Sequence, residues 1–404
     1  MAFSALLLAG LACSAAARPG RPAASFRLYV SSYADDGQTA GKVRTFDLTP
    51  GLGYNAASIK SVAVNSECGS APTWLEVTSK NSLLCIDEGF QTPNASLNTL
   101  TINADGSLKS IAKIDTIQGP VANQFYNKKD AVALAHYGGS AISTFKTYAN
   151  GTFSRLQQFV FNTPPGPRPE QEASHVHHSV IDPTGSFIVF PDLGADVIRV
   201  YKIGSDDLLT VQDPIKAEAA SGPRHATFWS PDVPAKKNST YLYVIHELAN
   251  YIVAYKVSYG DAGYSFTKFQ TIRLYGDRED PVGTRAAEIL VSPDNGFVIA
   301  SNRNASIFSL PNPDPKNATK IPSDALTTFS PSKNGTLKFV QLAPGGGSFP
   351  RAFSLNKAAT LVSVGNQNSG TLDIFSRDTK TGMIGDRVAS VGGLGQVTNV
   401  RWDE

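Results

Sequence analysis

The feature that most limits what this chain can fold into is an internal repeat. "SVIDPTGSFIVFPDLGADVIRVYKI" can be laid over "EILVSPDNGFVIASNRNASIFSL" and over "FSLNKAATLVSVGNQNSGTLDIFSR". A fourth copy, "ATFWSPDVPAKKNSTYLYVIHELANYIVAYKV", carries an insertion in its first turn. Each copy reads as strand, Pro/Asp/Gly turn, strand, Asn/Gly loop, strand, with a weaker strand before the next copy. Runs of β-branched and aromatic residues recur throughout, and helical periodicity is nearly absent. A single unit of this kind cannot cover its own apolar faces, so neighbours must stack. Four strands per unit of roughly 40–60 residues predict an all-β fold of the propeller type.

Seven units can be counted, starting near Leu28, Trp74, Asp130, His177, Arg224, Ala287 and Arg351. The first is short, and the tail "GQVTNVRWDE" reads as an orphan strand. Pairing of the 395–404 tail with the 28–50 segment would close the ring and hide its edges. The expectation is therefore one domain over residues 28–404, a seven-bladed β-propeller closed by its N- and C-terminal strands. Six or eight blades, or a pair of β-sandwiches, are the alternatives, and the repeat disfavours the sandwich.

The N-terminus, "MAFSALLLAGLACSAAARPGRPAAS", has a short apolar run followed by Ala15-Ala16-Ala17, which fits an A-x-A cleavage site. It predicts a signal peptide over 1–17 and a linker over 18–27, hence a protein that is secreted or held at the cell surface. The run is too short to span a bilayer and no later segment is long enough, so no membrane span is expected. Six N-x-S/T sequons agree with export, at Asn94, Asn150, Asn238, Asn304, Asn317 and Asn334. Removing the signal removes Cys13 and leaves Cys68 and Cys85. An even pair in a secreted chain predicts a disulfide. A net charge of +2 without any basic block argues against nucleic acid as a partner. Nothing in the pattern specifies an oligomeric state.

The repeat also lets positions be compared between blades. The apolar residues just before the first turn are Ile181, Phe228, Val291 and Leu355; four positions earlier stand His177, Arg224, Ala287 and Arg351. The first apolar residues after the turn are Phe187, Tyr241, Phe297 and Leu361; six positions later stand Leu193, Glu247, Arg303 and Gln367, with Asp192 and Asn366 one position before. In a propeller the innermost strand runs along the channel and the second runs back. The start of one and the end of the other therefore lie at the same face. Core positions would be apolar in most blades, whereas these are mostly charged or polar. They should ring one mouth of the channel, where a small polar ligand can sit. Arg351, Gln367 and Asp192 are candidate substrate contacts on this ground.

Three of the six histidines fall in "HVHH", as His175, His177 and His178. Strand alternation puts His175 and His177 on one face and His178 on the other. No spaced carboxylate–histidine set accompanies them, so neither a metal nor any other cofactor is expected. His178 and His225 read as ordinary strand residues, while the ring position of His177 points to chemistry.

"HVHHSVIDPTGSFIVFPDLGADVIRVY", "GPRHATFW", "YLYVIHELAN", "AAEILVSPDNGFVIASNR" and "PRAFSLNKAATLVSVGNQNSGTLDIF" together resemble the lactonase family of seven-bladed propellers. That family includes propeller-type 6-phosphogluconolactonase and fungal carboxy-cis,cis-muconate cyclase. The resemblance covers roughly residues 28–400 and implies a catalytic set at His177, Arg224, Glu247 and Arg303. One departure is His246, where the family usually has Asn before the Glu. Another is the insertion near 232–239 carrying Asn238, which strand geometry puts at the opposite face.

These residue types suit lactone chemistry. Guanidinium groups clamp a carboxylate and stabilise developing negative charge. A histidine moves protons near neutrality, and a glutamate is a second acid–base candidate whose pKa burial would raise and arginines would lower. The expected function is a secreted, carboxymuconate cyclase-like cycloisomerase acting on a small carboxylate or lactone. A hydrolytic lactonase is the first alternative, and a non-enzymatic secreted or surface glycoprotein is the second. Phosphogluconolactone is a poor candidate for an exported protein, because that sugar phosphate is cytosolic.

Overall fold

The computed structural model describes residues 25–404 apart from 36–37, 52–56, 80, 91, 261–262 and 315. The predicted signal peptide and most of the predicted linker lie outside the described residues. The linker's last two residues belong to the first strand, Phe26–Ser32.

Seven four-stranded antiparallel sheets form the blades of a propeller. The inner strands of blades two to seven are Pro72–Ser79, Pro120–Tyr126, Val180–Ile181, Pro223–Trp229, Arg285–Val291 and Pro350–Leu355. Blade one takes its inner strand from the C-terminus. Val397–Trp402 pairs with Phe26–Ser32, with Leu28 opposite Trp402 and Val30 opposite Val400. Those four side chains are buried in one cluster, so closure buries apolar surface as well as pairing two edges. The expected seven blades and terminal closure are both present.

Two expectations about the units need correction. The third was started at Asp130, but Ala131–His136 is the second strand of its blade, and the inner strand is Pro120–Tyr126. The turn between them has neither Pro nor Gly, and Asp130 at its end reads instead as the start of a unit. Asn127, Lys128 and Lys129 make it with left-handed backbone, at φ 48, 59 and 74°. In the sixth unit "ASIFSL" was read as the third strand. Instead Phe308–Pro311 pairs with Lys320–Ser323 in a separate hairpin, and the third strand is Ala325–Pro331. A strand between two others must bury both faces. Ala325, Leu326 and Phe329 do so, whereas Phe308–Pro311 is only half-buried. The carboxylate of Asp324 closes the base of this insertion by accepting from the backbone N–H of Asn304, Ala305 and Ser306.

Cys68 and Cys85 form the expected disulfide, with Cα atoms 6.1 Å apart. It ties the loop before blade two to that blade's second strand. All six sequon asparagines are exposed.

One irregularity recurs and places the site. The ladder between inner and second strands slips by one residue between Pro72/Trp74, Pro120/Ala122, Pro223/His225, Ala286/Ile289 and Pro350/Ala352. In blade four the bridge Val176–Asp192 and the pair Val180–Val189 enclose the same slip. A bulge re-aims the side chain of its extra residue. The re-aimed residues include Thr73, Val121, Arg224 and Arg351, and His177 sits inside the blade-four slip.

Candidate active site

The mouth of the channel is built from two rings. Inner-strand starts supply Thr73, Val121, His177, Arg224, Ala287, Arg351 and Thr398, each at or next to a bulge in blades two to seven. Second-strand ends supply Tyr33, Glu88, Tyr137, Leu193, Glu247, Arg303 and Gln367. His177, Arg224, Arg351 and Thr73 line one narrow cavity.

Glu247 sits between two arginines. Its Oε2 lies 2.8 Å from Arg224 Nε and 2.7 Å from Arg303 Nη2. Each guanidinium is also oriented from behind by blade six: Arg224 donates to Ala287 O and Arg303 to Ala286 O, both at 2.8 Å. Phe349 covers the face of Arg303, with the guanidinium carbon 4.7 Å from the ring centroid. Burial pushes the Glu247 carboxyl up, but Arg303 and Arg224 outweigh it and hold it below the usual carboxylate range. Glu247 is therefore an anion at neutral pH. Burial and the facing Arg303 push Arg224 down to about 9, which leaves it charged at neutral pH.

His177 is buried beside this clamp. Tyr137 packs against it, with its ring 5.4 Å from the His177 ring, edge to face. Burial first, then Arg224, His225 and Arg351, push the His177 imidazole well below its ordinary pKa. It is a neutral ring at pH 7. His177 Nδ1 is 3.2 Å from His225 Nε2. Its Nε2, on the far side of the ring, takes no hydrogen bond among the described residues.

The structure brings the four expected residues His177, Arg224, Glu247 and Arg303 to one face, together with Arg351. The other two candidates differ. Asp192 is fully buried and already saturated: it accepts from Ser174 Oγ, His175 N and Ala195 N, and pairs with Arg199 at 2.8 Å. It braces blade four and has no free oxygen for a substrate, which corrects its reading as a substrate contact. Gln367 is buried near the seam with blade one, 3.3 Å from Gln396, and its Oε1 lacks a partner.

Tyr33, Glu88 and Tyr137 are among the ring residues that escaped the sequence reading. Glu88 accepts from Tyr33 Oη and pairs with Arg351 at 3.3 Å. Burial, above all, raises the Glu88 carboxyl pKa. The register did contain Glu88, Tyr33 and Tyr137, six positions after Ser82, Arg27 and Ala131, but polar Ser82 and Arg27 hid the apolar anchor. His225 was read as an ordinary strand residue, yet it bonds His177. His178 stacks on His225 with ring centroids 4.3 Å apart. Among the described residues no three His, Cys, Asp or Glu side chains are arranged to hold a metal ion.

The family described as "Lactonase, 7-bladed beta-propeller" matches residues 27–402. A protein from Arthroderma benhamiae named probable 6-phosphogluconolactonase is 28% identical over 364 residues, covering 87% of this chain and 88% of that one. A 6-phosphogluconolactonase from Formosa agariphila is 29% identical over 63% of this chain and 65% of its own length. The periplasmic gluconolactonase of Pseudomonas aeruginosa superposes with a TM-score of 0.77 at 22% identity, over 94% of this chain and 99% of that chain.

Proposed function

We propose, from the premise that this chain belongs to the lactonase family of seven-bladed β-propellers, that it hydrolyses a small lactone at the channel mouth. The observation that carries this is the meeting of a neutral His177, whose Nε2 takes no hydrogen bond among the described residues, with the Arg224–Glu247–Arg303 clamp. His177 Nε2 takes a proton from water, and the resulting hydroxide attacks the lactone carbonyl. Arg224 and Arg303 stabilise the negative charge that develops on the carbonyl oxygen. When the ring C–O bond breaks, the proton passes from His177 to the departing oxygen, and the product is the open hydroxy acid. Glu247, held as an anion, orients both arginines and sets the charge of the pocket.

Relatives named 6-phosphogluconolactonase favour hydrolysis over the cyclising reaction, which rests on the sequence resemblance alone. We favour an unphosphorylated lactone. Arg224 and Arg303 face Glu247, Arg351 faces Glu88 and Arg285 faces Glu170, which leaves little surplus positive charge there for a phosphate. Export and glycosylation are part of the proposal, supported by the N-terminal apolar run and six exposed sequons. A mass loss on treating secreted protein with a peptide N-glycosidase checks both.

The test is turnover by pure protein of a panel holding glucono-δ-lactone, its 6-phosphate, simple γ- and δ-lactones and carboxymuconate. Hydrolysis of neutral lactones is expected. Turnover of carboxymuconate alone would overturn the hydrolytic reading, and a preference for the phosphate would overturn the substrate class.

A further inference from the structure

Behind His177 lies a line of buried groups that the proposed hydrolysis does not itself require. His225 Nδ1 is 2.7 Å from Glu288 Oε1, and His225 Nε2 is 3.2 Å from His177 Nδ1. All three side chains are buried. Glu288 Oε2 is also buried and has no hydrogen-bond partner. Glu288 reaches this place through the bulge between Ala286 and Ile289, and His225 through the one between Pro223 and His225.

We propose that Glu288 and His225 are positioning residues that form a two-step proton relay behind His177. The proposal rests on His177 being the acid–base group. With Glu288 ionised, its Oε1 accepts from His225 Nδ1–H, and His225 Nε2 then accepts from His177 Nδ1–H. That order leaves the lone pair of His177 on Nε2, where a base is needed. A proton arriving at Nε2 is balanced by a shift along the line. The Nδ1 proton of His177 moves to His225 Nε2, and the Nδ1 proton of His225 moves to Glu288. Both rings end neutral and Glu288 ends as the acid. Reversal returns the proton to His177 Nε2 for the departing oxygen.

The reason for such a relay is electrostatic. An imidazolium at His177 would sit among Arg224 and Arg351 in a buried site, with Tyr137 as its other neighbour. Moving the charge two groups back converts a third cation into a neutralised carboxylate. Glu288 is suited to receive the proton, since burial raises its carboxyl pKa against the opposing pull of His178, Arg401 and Arg224. His178, stacked on His225, and Trp74, 6.0 Å from it, pack against the line.

The test compares Glu288→Gln, His225→Gln and His177→Ala in full-length protein with glucono-δ-lactone. Glu288→Gln is expected to lower kcat at least about 10²-fold, since tautomer and proton acceptor are lost together. KM should stay within about twofold. The acidic limb of kcat should move to lower pH, because the proton can no longer be passed to a carboxylate. A proton inventory in mixed H2O and D2O should change from several protons in flight to one. An unchanged pH profile and inventory in Glu288→Gln, with His177→Ala inactive, would overturn the relay and leave His177 standing. Full activity in His177→Ala would sink the reading beneath it. Should the variants fail to fold, ¹⁵N spectra of histidine-labelled native protein decide the matter. Protonation at His177 Nδ1 supports the relay, and protonation at Nε2 in the resting enzyme refutes it.

Discussion

Replacing Glu247 by Gln removes one negative charge and leaves the shape of the side chain nearly intact. In the native protein that charge faces Arg224 at 2.8 Å and Arg303 at 2.7 Å. Arg224 is only 2% exposed, so water cannot replace the lost anion there. Breaking a buried ion pair by removing one partner costs about 3–5 kcal/mol. Glu247 keeps some contact with solvent at the mouth, which favours the lower figure, about 3 kcal/mol. Unfolding entropy is about 2.1 cal/mol/K per residue, or about 0.8 kcal/mol/K for a domain of about 380 residues. The melting temperature should therefore fall by about 4 °C. Turnover of a lactone should fall by about 10²–10³-fold, because the clamp loses its orientation when two guanidiniums repel one another.

Two further signs separate this account from a general loss of packing. A carboxylate product such as gluconate can supply the missing anion, so it should raise the melting temperature of Glu247→Gln more than that of wild type. The gap between the proteins should also depend on pH. The folded carboxyl is held below its unfolded value, so its contribution is complete above about pH 4.3. It is lost as pH falls through the lower folded value. Differential scanning calorimetry with and without gluconate, from pH 7 to pH 3, reads all of this. A variant that melts with wild type at pH 7 and turns over lactone at full rate would refute the clamp.

His246→Asn should gain stability relative to wild type as pH falls. Burial lowers the folded pKa of His246 from 6.5 to about 3, so the unfolded chain binds a proton the native state refuses, costing wild type about 1.4 kcal/mol per pH unit below 6.5. Urea unfolding at pH 7, 6 and 5 checks this, and a constant difference would contradict it. The double variant Cys68→Ser/Cys85→Ser opens an 18-residue loop and should lose about 3 kcal/mol, with a matching loss when the native protein is reduced; no change in either unfolding curve would count against a stabilising role.

The seven-bladed ring was legible in the sequence because its signal is repeated. Four overlaid copies share a strand period and a turn, and any one weak strand is outvoted by the others. Terminal closure was legible for the same reason, since a short first unit and an orphan last strand are complementary defects in one count. Four mouth residues, His177, Arg224, Glu247 and Arg303, emerged because a charged residue at a repeated level is conspicuous where core packing would be apolar.

What remained hidden depended on which residue stands opposite which. Strand alternation assigns Arg224 and His225 to opposite faces, yet both reach the site. A bulge places two residues against one, and only the partner strand shows where that happens. The same slips bring Glu288 behind His225 and turn His178 onto its ring, so the line of buried groups behind His177 has no linear signature. Asp192 shares the level of the ring but turns into its own blade, where Arg199 and three other donors use its oxygens. The hairpin of blade six needed the structure too: Phe308–Pro311 has the residues of a strand, and burial alone gave the third place in the blade to Ala325–Pro331. Period and composition, then, are properties of the chain. Register is a property of pairs of strands, and it decided which side chains meet at the mouth.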